Sequence, residues 1–194
     1  MNYMKSLPDC GPEYISATMI ADALKLNHVL VRKDLASFST SGKPKVGYVK
    51  TDLMNEIERY LGYDDAHDAV IVGAGKLGKA LLAYEGFQKY GLNIVAAFDR
   101  DAEAAAGSGL ESKIFPMERL QELCGRMNIR IGIITVPYEQ AQQVCNLLIE
   151  SGILAVWNFA PIHLIVPEGI LVQNENMASS LALLSKHLTE KLRE

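Results

Sequence analysis

Cysteine is scarce in this chain, with three in 194 residues at positions 10, 124 and 145, and no CxxC pair. An odd number of widely spaced thiols excludes a disulfide framework or a cysteine-built zinc site, so no metal is expected and a reducing cytoplasm is the expected compartment. No apolar run approaches the roughly 18 residues needed to cross a bilayer, so no membrane contact is expected. The opening MNYMKSLPDC lacks the apolar stretch of a secretion signal. Strong net charge is missing too: the chain carries −4 overall. That charge is uneven, because residues 1–50 hold seven Lys/Arg against four Asp/Glu while residues 51–194 hold twelve against nineteen. An acidic body with a basic head fits a polyanion contact confined to one end.

Two patterns fill the frame these absences leave. Pro8, Gly11 and Pro12 break any helix near the start, so residues 1–15 are read as a loop. Ser16 and Thr18 are candidate N-caps for a helix over about Met19–Leu26. Asn27 ends that helix and opens a second over His28–Phe38, with Val31, Leu35 and Phe38 at helical spacing. The short polar break is that of a helix-turn-helix. TSGKPKVGY then reads as a hairpin wing, Asp52–Leu61 as an amphipathic helix, and Gly62–His67 as a linker.

From residue 68 the pattern alternates. Strands are predicted over 69–73, 93–98, 130–135, 153–157 and near 170–173, with helices over 76–90, 118–127 and 138–150. Apolar strands separated by helices predict an α/β fold, a Rossmann-type parallel sheet covered on both faces. Met177–Leu192 follows with Leu181, Leu184, Leu188 and Leu192 on one stripe, which must cover either its own domain or a second subunit. The predicted domains are 1–62, 63–174 and a C-terminal helical segment, 175–194.

Gly73-Ala74-Gly75-Lys76-Leu77-Gly78 spells GxGxxG between an apolar strand and a helix. Glycines at this spacing give a tight turn, close backbone approach to a pyrophosphate and close packing of helix on strand. The helix N-terminus behind them favours an anion. Asp99 lies 21 residues past Gly78 and is placed to take the adenosine ribose hydroxyls. A carboxylate there repels a 2′-phosphate, which favours NAD(H) over NADP(H), with Arg100 a neighbouring cation. Thr135-Val136-Pro137 and Asn158-Phe159-Ala160 close the next strands at the edge where such ligands sit.

Arg32 and Lys33 on the second helix, with Lys43 and Lys45 on the wing, are candidates for phosphate contacts. Asn27, His28, Arg32 and Ser37 are candidates for reading bases. The two patterns together predict a DNA-binding protein controlled by a dinucleotide.

The strings VRKDLASF, GKPKVGY, VGAGKLGKALLAYEGF, AAFDRD, IGIITVP and NFAP resemble the redox-sensing transcriptional repressor Rex family along nearly the whole chain. The resemblance implies a winged-helix domain, an NAD(H)-binding Rossmann domain and a homodimer that swaps C-terminal helices. It implies operator binding when NADH is scarce and release when NADH accumulates. It carries cofactor contacts onto Gly73, Gly75, Gly78, Asp99 and Thr135–Pro137, and DNA contacts onto Arg32, Lys33 and the Gly42–Tyr48 stretch, including Tyr48. The family couples an Arg, a Tyr and an Asp as its switch; here those positions are Lys5, Tyr84 and Asn176, with Met177 in place of the usual aromatic neighbour. Pro44-Lys45 stands where Arg-Gly is usual, and only MNYMKSL represents the end of a longer first helix. Exchanging the Arg and Asp for Lys and Asn implies weaker redox discrimination. Two alternatives stay open: a cofactor-binding paralogue with weakened DNA binding or switching, and a small NAD-dependent oxidoreductase, for which His163 after NFAP is the nearest candidate acid.

Overall fold

A computed structural model describes every residue except 9, 10, 45, 64–66, 104–108 and 194, and gives only the backbone at Asn2, Glu111 and Met177. The chain divides into two compact units, Met1–Asp65 and Ala66–Glu194.

The first unit runs α1 (Asn2–Ser6), β1 (Tyr14–Ile15), α2 (Ala17–Leu24), α3 (His28–Phe38), β2 (Tyr48–Val49) and α4 (Lys50–Tyr60). Residues 1–15 are thus not wholly loop, as the breakers had predicted. Met4 is 2% exposed and packs with Ile15, Ile20 and Leu53, so core burial recruits a helical turn ahead of Pro8. Ser16 caps α2 by accepting the Met19 N–H at 3.1 Å, which starts the helix earlier than the sequence predicted. The helix ends in a left-handed Lys25. Asn27 Oδ1 accepts the N–H groups of Val29 and Leu30 at 2.9 and 3.2 Å and opens α3 at the predicted residue. Val31 and Leu35 turn inward from α3.

The wing is smaller than the predicted hairpin. Lys43 and Gly47 exchange backbone hydrogen bonds at 2.8 and 2.9 Å, and β2 pairs antiparallel with β1. Pairing with β1 rather than with a strand of its own ties the wing base to the helical core.

The second unit contains β3 (His67–Val72), α5 (Lys76–Ala83), β4 (Leu92–Asp99), β5 (Ile114–Pro116), α6 (Leu120–Met127), β6 (Ile131–Ile134), α7 (Tyr138–Glu150), β7 (Ala155–Asn158), β8 (Leu171–Asn174) and α8 (Met177–Lys191). Its six strands lie in the order β5-β4-β3-β6-β7-β8, all parallel. Alternation along the strands builds two cores. Val70, Val72, Phe98, Ile134 and Val156 share one with residues of α6 and α7, while Ala69, Ile71, Ala97 and Ile133 share the other with Leu82 of α5.

The short edge strand β5 went unpredicted, since three residues show no period. The predicted helix over 76–90 breaks at Tyr84, where the backbone turns extended before a 3₁₀ segment, Glu85–Tyr90. The Tyr84 ring lies over Gly86, where an added Cβ would stand 2.3 Å from it. The predicted helix over 118–127 opens as a 3₁₀ turn before α6. No described residue of α8 is buried, and Leu181, Leu184, Leu188 and Leu192 stand exposed along it. Among the described residues, no helix is long and apolar enough to cross a membrane.

Candidate nucleotide site and nucleic-acid surface

The end of β3 turns sharply into α5. Gly73 adopts φ +105°, a left-handed conformation that L side chains rarely take. A Cβ on Gly78 would stand 1.9 Å from the Gly73 carbonyl oxygen, so only glycine lets α5 pack this close to the turn. A Cβ on Gly75 would meet nothing within 4 Å, which leaves that backbone open to an approaching group. No side chain caps α5, and its first bond in the helical pattern is Lys79 N–H to the Gly75 carbonyl. The N–H groups of Lys76, Leu77 and Gly78 are therefore left to receive an anion at the positive end of the helix dipole.

Two side chains brace this turn. Asp99, ending β4, accepts the Ala74 N–H at 2.7 Å and the Asp101 N–H at 3.0 Å. The Thr135 hydroxyl shares its one proton between the Gly73 and Val72 carbonyls at 2.7 and 3.1 Å. Thr135, predicted as a cofactor contact, sits beneath the glycine turn as its support.

Beside the turn opens a cleft of about 390 Å³, lined among others by Gly73, Asp99, Arg100, Val136 and Pro137, all five predicted from sequence. Met117 and, on one face of α7, Gln140, Gln143 and Leu147 complete it. These four were missed. The i, i+3, i+7 spacing of 140, 143 and 147 was legible, but not which face would meet a ligand. The cleft offers apolar walls with a few polar groups, as planar ligands require.

Asn158 is fully buried and has another use. Its Nδ2 shares its two protons among the Ala160 and Ile162 carbonyls and Asn174 Oδ1, and its Oδ1 accepts the Ala160 N–H, all within 3.1 Å. It knits the turn after β7 to β8, and buried Ala160 is held in that turn. Phe159 stacks obliquely on Trp157 at 4.7 Å; Trp157 meets Phe87 at 5.6 Å, and Phe87 meets Tyr84 at 4.9 Å. Trp157 Nε1 donates to Glu175 at 3.1 Å, next to Asn176, whose Oδ1 accepts the Ser179 N–H and caps α8. The predicted switch residue Tyr84 thus ends an aromatic row leading to the root of α8. Lys5 lies in the other unit, paired with Glu58 of α4 at 2.9 Å. The Met177 side chain lies outside the described residues. His163 borders a shallow hollow with Asn174 and Asn176.

In the first unit, Arg32, Lys33 and Lys43 are exposed, and none has an acidic partner within 4 Å among the described residues. Lys45 lies outside the described residues. Tyr48 is half-buried, its ring against Gly42, where an added Cβ would meet it at 2.8 Å.

Comparison with known proteins gives this arrangement a setting. Residues 64–162 match the CoA binding domain family. A redox-sensing transcriptional repressor Rex of Treponema denticola is 40% identical over 179 residues, 92% of this chain and 85% of that protein. The Rex of Syntrophomonas wolfei is 41% identical over 187 residues, 96% of this chain and 89% of that one. This chain belongs to the Rex family. Among solved structures, RSP, a Rex-family repressor, matches with TM-score 0.86 and 29% identity over 98% of this chain and 88% of its own. RSP in complex with β-NAD+ and operator DNA matches with TM-score 0.89 at 30% identity, again over 98% and 88%. Rex proteins are transcriptional regulators, so the oxidoreductase alternative falls.

Proposed function

We propose that this chain is a homodimeric transcriptional repressor that grips operator DNA through α3 and its wing and binds NAD(H) at the glycine turn, with NADH favouring release. The observation that carries the reading is that one Rex-family chain holds both parts. One is a glycine turn pinned by Asp99 and Thr135, with the first N–H groups of α5 free. The other is a helix-turn-helix whose exposed Arg32 and Lys33 have no acidic partner among the described residues. The residues present fit a dinucleotide: the open Gly75 backbone admits the pyrophosphate, and Arg100, Met117 and Gln140 wall the adenosine end. Two solved complexes of one relative support the ligand reading, RSP with β-NAD+ and operator DNA and RSP with β-NADH. When bound, the cofactor supplies a nicotinamide ring that is cationic when oxidised and neutral when reduced.

The second copy has work to do in this reading. A 15-residue helix such as α8 is marginal alone in water, and its leucines lie exposed. The sheet face at Ile131, Ala155, Trp157 and Leu171 is likewise an open trough of about 350 Å³. Exchange of α8 between protomers covers apolar surface of both kinds.

The switch is weaker here than the Rex pattern implies. A ligand shifts an equilibrium only by its difference in affinity for the two states. A carboxylate senses the oxidised ring's charge directly; Asn176 offers a dipole, and that dipole already caps α8. Lys5 is likewise already paired within its own unit.

The test measures binding to operator duplex at low ionic strength with NADH, with NAD+ and with neither. NADH is expected to weaken binding and NAD+ to leave it in place, with the two cofactors' affinities within about tenfold of each other. Failure to bind any duplex under all three conditions would end the repressor reading. A difference of several orders of magnitude between the cofactors would end the weakened-switch reading alone.

A further inference from the structure

On the outer face of α3, the polar side chains predicted to read bases are largely engaged within the protein. Asn27 Oδ1 is taken by the N–H groups of Val29 and Leu30. His28 Nε2 lies 3.1 Å from Asp22 Oδ1. The Ser37 hydroxyl donates to the Asp34 carbonyl at 2.6 Å. What the first turn presents to solvent instead is apolar: Val29 is 56% exposed and Leu30 55%. With Val31 and Leu35 marking the buried stripe, Val29 and Lys33 lie opposite it, Leu30 and Arg32 flank them, and small Ala36 and Ser37 follow. Asp34, the one acidic side chain of α3, lies beyond Leu30 on the flank nearer the core.

We infer that Val29 and Leu30 are specificity-determining residues that select operator half-sites by packing on thymine C5-methyl groups. The inference rests on the DNA-binding reading above and deepens it. An exposed apolar pair admits two occupants, a partner protein or a nucleic-acid groove. Charge decides between them: Arg32 and Lys33, on the same face and without acidic partners among the described residues, complement phosphate. In the major groove the thymine methyl is the one apolar mark on a base edge, and it distinguishes T·A from every other pair. Side chains at the N-terminal end of such a helix are those that reach base edges. Neither side chain has a hydrogen-bonding group with which to reject a wrong base; both gain only where a methyl replaces water.

The test starts from the intact protein and a randomised duplex library. Enriched duplexes are expected to carry thymine at one or two fixed places per half-site. Each thymine is then replaced by deoxyuridine, which removes only the methyl. At those places wild-type affinity is expected to fall roughly fourfold, the change matching about 0.8 kcal/mol for one buried methyl. Leu30→Ala or Val29→Ala should lose that sensitivity while keeping the wild-type thermal melt, since both positions are on the surface. Enrichment of a duplex in which every thymine tolerates deoxyuridine would overturn the inference and leave DNA binding standing. A Leu30→Ala variant with unchanged DNA affinity but altered oligomeric mass would overturn it too, assigning the pair to a protein interface. If no duplex is enriched, the DNA-binding reading itself fails, and this inference with it.

Discussion

The two units present their functional groups in opposite ways. Around the glycine turn the supporting side chains are tied into the backbone or to one another: Asp99 to Ala74, Thr135 to Gly73, Asn158 to Ala160 and Asn174. On α3 and the wing Arg32, Lys33 and Lys43 stand in solvent, and the apolar Val29 and Leu30 are equally bare. The difference follows from the ligands. A pyrophosphate is recognised by backbone N–H groups, which must be held rigid because they cannot rotate to meet it. A duplex is met first by long-range charge, which works best with mobile, solvated side chains. Substitutions of these groups in the nucleotide unit should therefore act through stability and geometry, and those of the exposed groups on the head through affinity alone.

The sharpest break in that contrast is Gly78→Ala. The new methyl would sit 1.9 Å from the Gly73 carbonyl, a backbone atom that cannot move without moving the turn. We expect loss of measurable NADH binding and destabilisation of the nucleotide unit by about 3 kcal/mol, the upper range for overpacking. Cofactor titration and a thermal melt check both. Next comes Asn158→Ala, which leaves the buried Ala160 N–H and carbonyl short of partners, while the exposed Asn174 can turn to water. About 2 kcal/mol should be lost, in line with buried groups left unsatisfied. NADH affinity should fall by less than for Gly78→Ala, because Asn158 supports the turn after β7 rather than the phosphate cradle. An Asn158→Ala protein as stable as wild type would show that this network contributes nothing net.

How much of this was legible follows the same division. GxGxxG, Asp99 and the strand ends were readable because glycine sterics and helix dipoles depend on local spacing, and of the residues they named the structure brings Gly73, Asp99, Arg100, Val136 and Pro137 to one cleft. Met117 was not, because it reaches the cleft only through β5, a strand too short to show a period. Thr135 and Asn158 lie at the strand ends where they were expected, but what their side chains bond to depends on atoms more than fifteen positions away, at Gly73 and Asn174. Tyr84 shows the limit for helices: the propensity of KLGKALLAYEGF runs on through it, and only the seat of its ring over Gly86 reveals the break. On α3 the helix was placed to the residue, yet three of its four polar candidates, Asn27, His28 and Ser37, bond within the protein. The exposure of Val29 and Leu30 needed the fold.

Lys33→Gln tests the other side of the comparison. Lys33 is exposed, unpaired among the described residues and opposite the buried stripe of α3. Removing one phosphate contact should weaken binding to all duplexes alike, about tenfold at low salt. It should also reduce the slope of log K against log salt by about 0.9. The thermal melt should not move. A melt shifted by several degrees would mean that Lys33 supports the fold, and the contrast between the units would lose its clearest case.

The smallest effect comes from the two buried cysteines, both in the nucleotide unit. Burial raises the pKa of the Cys124 and Cys145 thiols above the ordinary value, because the thiolate would be stranded among apolar neighbours. The folded chain therefore holds these protons after the unfolded chain has begun to release them, at roughly pH 8.5. Their contribution is fully present below that pH and is lost progressively as pH rises toward the folded-state values. Denaturation midpoints of the nucleotide unit should accordingly fall between about pH 8 and 10 more steeply for wild type than for a Cys124→Ala, Cys145→Ala variant. Equal pH slopes for the two proteins would show that neither thiol resists ionisation, and that this core admits water where the packing of α6 and α7 says it should not.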